Sequence, residues 1–252
     1  MLKKLFSAQN VLVPPPETPA DTRIYAVGDI HGRIDLLSRL HHRIREDVAA
    51  SAAGRNVIVY LGDYVDRGET SKDVIDLLLD EPIAGLEPIF LTGNHEEMML
   101  GFLDNAAGGA MWLHNGGDAT AYSYGVRSAI PSGADHSHIE MQRTLLEKVP
   151  ERHLNFFRDL KLFHTEGGYL FVHAGVQPGI PIEQQTSRDL LWIRKEFIAS
   201  EADHGHCVVH GHTIFTEPDI RPNRIGIDTG AYYTNVLSCL VLEGTEQRFI
   251  QT

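Results

Sequence analysis

Short apolar runs alternate with helix-spaced apolar residues over the first hundred or so positions, and this alternation limits the fold more than any other feature. Ile24-Tyr25-Ala26-Val27 is an apolar run that ends at Gly28 and reads as a buried strand entering a turn. Ile34, Leu37, Leu40, Ile44 and Val48 then recur at helical spacing, predicting an amphipathic helix over 34–50. Residues 57–61 read as a second strand, with Val74, Ile75, Leu78 and Leu79 marking a second helix. Ile89-Phe90-Leu91 reads as a third strand, and a third helix begins at 96–103. The order β-α-β-α-β-α calls for mostly parallel strands with helices packed on the sheet. Residues 106–135 break the rhythm with Gly108, Gly109, Gly116, Gly117, Gly125 and Gly133, and are expected to be loop or insertion. One helical stretch is expected over 139–160, then strands at 169–173, 207–209, 224–227 and 236–242. The expected organisation is a loose N-terminal arm over 1–22 and a single α/β domain over 23–252.

What stands at the strand ends carries the chemistry. The first run closes in Gly28-Asp29-Ile30-His31-Gly32 and the second in Gly62-Asp63-Tyr64-Val65-Asp66-Arg67-Gly68. The third closes in Gly93-Asn94-His95-Glu96, and later runs in His173-Ala174-Gly175 and His210-Gly211-His212-Thr213. In parallel α/β sheets the carboxyl edge of the strands is where ligands bind. Glycine there lets backbone approach closely and permits positive φ. A single Gly-Asp or Asp-x-His is commonplace in turns; five metal-capable groups in order, each closing a strand, are not. Carboxylate, amide oxygen and imidazole together suit Mn, Fe or Zn in a mixed site. The absence of cysteine from the set excludes a thiolate structural zinc site.

Charge and composition narrow the partners. A formal net charge of −12 argues against a duplex-binding surface, so no nucleic-acid partner is expected. No run approaches the roughly 20 apolar residues of a membrane helix, and the N-terminal stretch around Lys3 and Lys4 is too short and polar for a signal peptide. Cys207 and Cys239 form no disulfide framework and are expected as small buried hydrophobes, which fits a cytoplasmic location.

As a set, these segments resemble the signature of the phosphoprotein phosphatases, a branch of the calcineurin-like metallophosphoesterases. The likeness runs over 23–243. The short chain, Trp192-Ile193-Arg194 and Gly211-His212-Thr213 are most similar to the small bacterial and bacteriophage serine/threonine protein phosphatases. The resemblance implies a central β-sandwich flanked by helices. It also implies two divalent metal ions, Mn first, held by Asp29 and His31 at one position, by Asn94, His173 and His212 at the other, and by Asp63 between them. His95 would be the general acid, oriented by Asp66, and Arg67 and Arg194 would hold phosphate oxygens. The implied activity is phosphomonoester hydrolysis by water activated between two metals, on a phosphorylated protein or peptide. A nucleotide hydrolase similar to diadenosine tetraphosphatases is the alternative, since it shares much of the metal signature.

Several positions stay open. His210 and His212 compete for one ligand place: the family pattern favours His212, while strand alternation lets His210 face the same way and support it. Arg194 has a second reading as a surface arginine beside Lys195. Asn115 either borders the substrate groove or makes a plain turn. Tyr232 and Tyr233 either reach the phosphate or pack. Trp112, Tyr122, Tyr124 and Trp192 are candidates to stack on a base, though core packing suits at least two of them better. The oligomeric state is not legible.

Overall fold

The computed structural model describes residues 15–126 and 134–252. Two five-stranded sheets form the centre. The first contains β1 (Thr22–Val27), β2 (Arg55–Tyr60), β3 (Glu87–Phe90), β9 (Ser238–Glu243) and β10 (Glu246–Gln251), in the order β10-β9-β1-β2-β3. The second contains β4 (Phe163–Glu166), β5 (Tyr169–Val172), β6 (Cys207–His210), β7 (Asp219–Arg221) and β8 (Arg224–Gly226), in the order β4-β5-β6-β8-β7. β1, β2 and β3 run parallel, as the alternation requires, and β9 joins β1 antiparallel. β5, β6 and β8 are likewise parallel to one another.

Strand periodicity decides which core each side chain joins. Ile24, Ala26, Val57 and Val59 meet Tyr169, Phe171, Val209 and Ile225 from the other sheet in one apolar layer. Their neighbours Tyr25, Val27, Ile58 and Tyr60 point the opposite way, into a core shared with the helices. Leu170, Val172 and Val208 do the same on the far face, against Leu190 and Phe197. Side chains alternate faces along a strand, so strands buried on both faces read as continuous apolar runs. That is why the sequence shows runs rather than alternation.

Helices α1 (Ile34–Ala49), α2 (Ser71–Asp80) and α3 (Asn94–Asp104) each follow a strand of the first sheet. Past α3 the structure departs from expectation. Of the segment read as loop over 106–135, residues 106–123 are helical, as a 3-10 turn (Ala106–Gly108), α4 (Gly109–Trp112), a π turn (Leu113–Gly117) and α5 (Asp118–Ser123), and 127–133 lie outside the described residues. Two of its glycines, Gly116 and Gly117, serve close packing and a turn inside the helical run. A Cβ on Gly117 would collide with the Trp112 indole, and Gly116 supplies the one left-handed residue of the turn, at φ 96°. The stretch read as one helix over 139–160 is two, α6 (Ala134–Lys148) and α7 (Glu151–Asp159). Pro150 divides them, because the residue before proline is pushed out of the helical region. The later helices are short: α8 (Ser187–Trp192), α9 (Lys195–Ile198) and α10 (Ala231–Thr234).

The expected arm over 1–22 lies outside the described residues as far as residue 14. From Pro16 the chain is docked: Tyr169 donates its hydroxyl to the Pro16 carbonyl, and buried Thr18 exchanges hydrogen bonds with Gly244. Cys207 and Cys239 are buried free thiols. Among the described residues no helix is long and apolar enough to cross a membrane.

Candidate metal centre

The parallel strands of the two sheets deliver their carboxyl ends to one cavity of about 280 Å³. Asp29 and His31 follow β1, Asp63 follows β2, and Asn94 and His95 begin α3 after β3. His173 follows β5 and His212 follows β6. The turns that carry them are held in costly backbone. Of seven non-glycine residues at positive φ among those described, His31, Asp63, Asp66, Arg67 and His212 account for five. The left-handed region costs an ordinary residue roughly 1–2 kcal/mol, and such strain concentrates at functional sites.

Side chains meet in two groups that share Asp63. His31, Asp63 and His95 form one; Asp63, His173 and His212 form the other. His31 Nε2 lies 3.5 Å from Asp63 Oδ2, and His173 Nε2 lies 3.4 Å from Asp63 Oδ1. Asn94 Oδ1 is 2.9 Å from His173 Nε2. Asp29 borders the same cavity, and its carboxylate accepts the His212 backbone N–H at 3.1 Å.

Ring orientation points the donor atoms inward. His31 Nδ1 lies 2.9 Å from the Val65 carbonyl and His173 Nδ1 2.9 Å from that of Leu61. Each therefore donates Nδ1–H outward and presents Nε2 to the cavity, the tautomer a metal ligand needs. His212 Nε2 is buried with no hydrogen-bond partner among the described residues. A buried polar atom without a partner costs about 1–3 kcal/mol, and a cation at this point would satisfy it. The donor set of neutral imidazoles, carboxylates and an amide oxygen fits divalent ions.

Electrostatics agree. Burial pushes His31 down to about 3 and lowers His173, keeping both rings neutral. Burial alone would raise Asp63, but as the medium is acidified the imidazoles of His173, His95, His31 and His212 take up protons before it does, and their charge holds the carboxylate well below its ordinary value. Asp29 is raised well above the usual range by burial and by the charges of Asp228 and Asp63. Asp228 is pushed up to about 6, chiefly by burial. Two buried carboxylates raised in this way are short of positive charge.

Beside this cluster stands an acid–base pair. His95 Nδ1 is 2.7 Å from Asp66 Oδ2, with both residues buried. Burial lowers His95, but Asp63 and Asp66 more than reverse this and raise it. Its Nε2 faces the cavity, 3.3 Å from an Arg67 guanidinium nitrogen. Arg194 is exposed, lines the cavity from the N-cap of α9 and donates to the His212 carbonyl at 2.9 Å. Tyr232 lies against the Arg67 guanidinium, 4.6 Å from ring centroid to Cζ, while Tyr233 is mostly exposed.

His210 is not a partner of this centre. Its ring packs on Phe197 at 5.0 Å, with Nδ1 on the Gly211 carbonyl at 3.0 Å. The turn at Gly211-His212 breaks the alternation that would have put both histidines on one side. Asn115 bonds the Met111 carbonyl within its own turn. Trp112 and Tyr124 are buried, and Trp192 donates its indole N–H to Glu97 at 2.6 Å.

Several residues were missed from sequence. Asp228 lines the cavity. Glu96 accepts backbone N–H groups from Asp63, Tyr64 and Gly93 at 2.8–2.9 Å, tying the second and third turns together. Trp112 and Thr120 both bond Asp66. The Asp228-Thr229-Gly230 turn at a strand end was the one available signal among these.

Comparison with known proteins places the chain. The family model described as calcineurin-like phosphoesterase matches residues 22–234. Serine/threonine-protein phosphatase 2 of Escherichia coli is 38% identical over 225 residues, covering 85% of this chain and 90% of that protein. Bis(5'-nucleosyl)-tetraphosphatase PrpE of Oceanobacillus iheyensis is 27% identical over 239 residues, covering 86% and 87%. A solved cold-active protein tyrosine phosphatase superposes with a TM-score of 0.57 at 18% identity, over 92% of this chain and 81% of that one. At that identity the likeness is one of fold.

Proposed function

The chain belongs to the calcineurin-like phosphoesterase family, and from that premise we propose that it is a serine/threonine protein phosphatase. Metal-dependent phosphoester hydrolysis follows from the family. The finer reading rests on one observation: Arg67 and Arg194 line a small open cavity with His95 and the shared carboxylate Asp63. A fork-shaped guanidinium matches phosphate oxygens, and two of them suit the dianionic end of a monoester. The 38% identity to the E. coli phosphatase, against 27% to the tetraphosphatase, supports the same reading. So does the loss of Trp112 and Tyr124 to the core, where neither can stack on adenine.

In this reading Asp29 and His31 would hold one ion, Asn94, His173 and His212 the other, and Asp63 would serve both. Two divalent ions in such a site lower the pKa of water and neutralise phosphate oxygens, with Mn the first choice by family resemblance. The protein's own groups do the rest. Arg67 and Arg194 fix the phosphate and stabilise its growing charge. His95 delivers the Nε2 proton to the departing alkoxide. Asp66 holds the ring by its Nδ1–H and favours the charged imidazolium.

The test compares kcat/KM of the Mn-loaded protein on a phosphoserine/phosphothreonine peptide and on diadenosine tetraphosphate. Faster turnover of the peptide is expected. Faster turnover of the dinucleotide would move the assignment to nucleotide hydrolysis.

A further inference from the structure

Asp66 is more tightly enclosed than its part in orienting His95 requires. It is fully buried, and each carboxylate oxygen is engaged. Oδ2 takes the His95 Nδ1–H at 2.7 Å, and Oδ1 takes the Thr120 hydroxyl at 2.7 Å. The Trp112 indole N–H spans both oxygens at 3.1 Å. Neither of the last two partners comes from the strand-end turns. Both stand on the helical segment after α3, Trp112 closing α4 and Thr120 within α5.

The indole fixes the sense of this network. An indole N–H only donates. Thr120 Oγ1 accepts the Asp66 backbone N–H at 2.7 Å and lies 3.0 Å from Ser71 Oγ. With Ser71 Oγ donating to it, the hydrogen of Thr120 is left for Asp66 Oδ1, which accepts it at 2.7 Å. Two side-chain donors thus require Asp66 to be an acceptor, and an accepting Oδ2 requires the proton of His95 on Nδ1. That leaves Nε2 as the atom that gains and loses the transferable proton. The segment is built to make these bonds. Trp112 stacks on Phe102 of α3 at 5.0 Å, Gly117 leaves room for the indole, and the Gly116 carbonyl caps the Arg67 N–H at 3.1 Å.

We infer that Trp112 and Thr120 are positioning residues for leaving-group protonation: they act through Asp66 to fix the tautomer and aim of His95. This rests on His95 being the acid proposed above. The step itself balances simply. The oxygen of water forms a bond to phosphorus as its proton passes to solvent, the phosphorus–oxygen ester bond breaks with its electron pair staying on the leaving oxygen, and that oxygen takes the Nε2 proton of His95.

A misaligned acid hurts poor leaving groups most, because a good leaving group departs without protonation. The Mn-loaded variants Trp112→Phe and Thr120→Val would therefore be assayed on a phosphoserine peptide and on p-nitrophenyl phosphate. Removing one hydrogen bond to a charged group is worth roughly a tenfold effect, so kcat on the peptide should fall about 10-fold with KM within about twofold. The loss on p-nitrophenyl phosphate should stay below about threefold, and Thr120→Ser should restore the peptide rate. In a His95→Asn background, Trp112→Phe should cost nothing further, since it acts only through the lost imidazole. Equal losses on both substrates, no loss on either, or a full additional loss in the His95→Asn background would each overturn the inference. His95→Asn alone separates the two levels. If it too shows no leaving-group dependence, the acid assignment fails; if it does and Trp112→Phe does not, only the positioning role fails.

Discussion

Asp63 touches more of the chemistry than any other residue. Its Oδ1 lies near His173 and its Oδ2 near His31 and His95, at 3.4–3.9 Å. If one oxygen serves each ion, Asp63→Asn should weaken both ions together, because an amide offers one neutral oxygen in place of two charged ones. Metal titration by calorimetry checks this: loss of one ion with the other unaffected would show that Asp63 does not bridge. The grouping of these side chains was legible in sequence, because phosphate chemistry demands particular residue types at strand ends. What was not legible is the support behind them. Trp112 and Thr120 lie 46 and 54 positions from Asp66, and no local pattern joins residues so far apart. Thr120 resembles any helix-surface threonine until the fold turns it against a buried carboxylate.

Among the elements, the parallel β1-β2-β3 unit and its helices were legible from period alone, since buried strands and amphipathic helices write different spacings. The helical segment after α3 was not, because its glycines, needed to admit Trp112 and to turn at Gly116, look the same as loop glycines. One contact between elements has a measurable pH signature. His41 of α1 is buried, with Nε2 2.8 Å from the Tyr60 hydroxyl on β2 and no partner for Nδ1 among the described residues. Burial, aided by Arg45, lowers its pKa to about 4. Unfolded, the ring titrates near 6.5. Above pH 6.5 it is neutral in both states, and its full contribution to stability is present. As pH falls towards 4 the unfolded chain takes up a proton that the folded one refuses, so stability is lost. Between pH 7 and pH 5 this amounts to about 2 kcal/mol. Urea unfolding of the protein and of His41→Gln at both pH values should show the variant losing less by about that amount. Equal losses in the two would mean that His41 takes up its proton without unfolding.

At the scale of the molecule, the candidate ions would bind across the sandwich. Asp29, His31, Asp63 and Asn94 follow strands of the first sheet, whereas His173 and His212 follow strands of the second. Occupied, the centre would tie the two sheets at one edge; stripped, it leaves Asp29 and Asp228 as raised, buried carboxylates and His212 Nε2 without a hydrogen-bond partner among the described residues. Metal removal should therefore lower the stability of the whole fold and not only abolish turnover. A ligand at 100 times its dissociation constant stabilises by about 2.7 kcal/mol, so two such ions supply about 5 kcal/mol. For a chain of this size each kcal/mol moves the midpoint by about 2–4 °C, which places the expected shift at roughly 10–20 °C. Thermal unfolding with chelator and with saturating Mn measures it. Hydrogen exchange should show the gain in protection at the carboxyl ends of β5 and β6 as well as β1 and β2, because the ions join both sheets. An unchanged midpoint at every metal concentration would mean that the cluster does not bind ions in the folded state. A shift with protection confined to the first sheet would mean that His173 and His212 take no part in holding them.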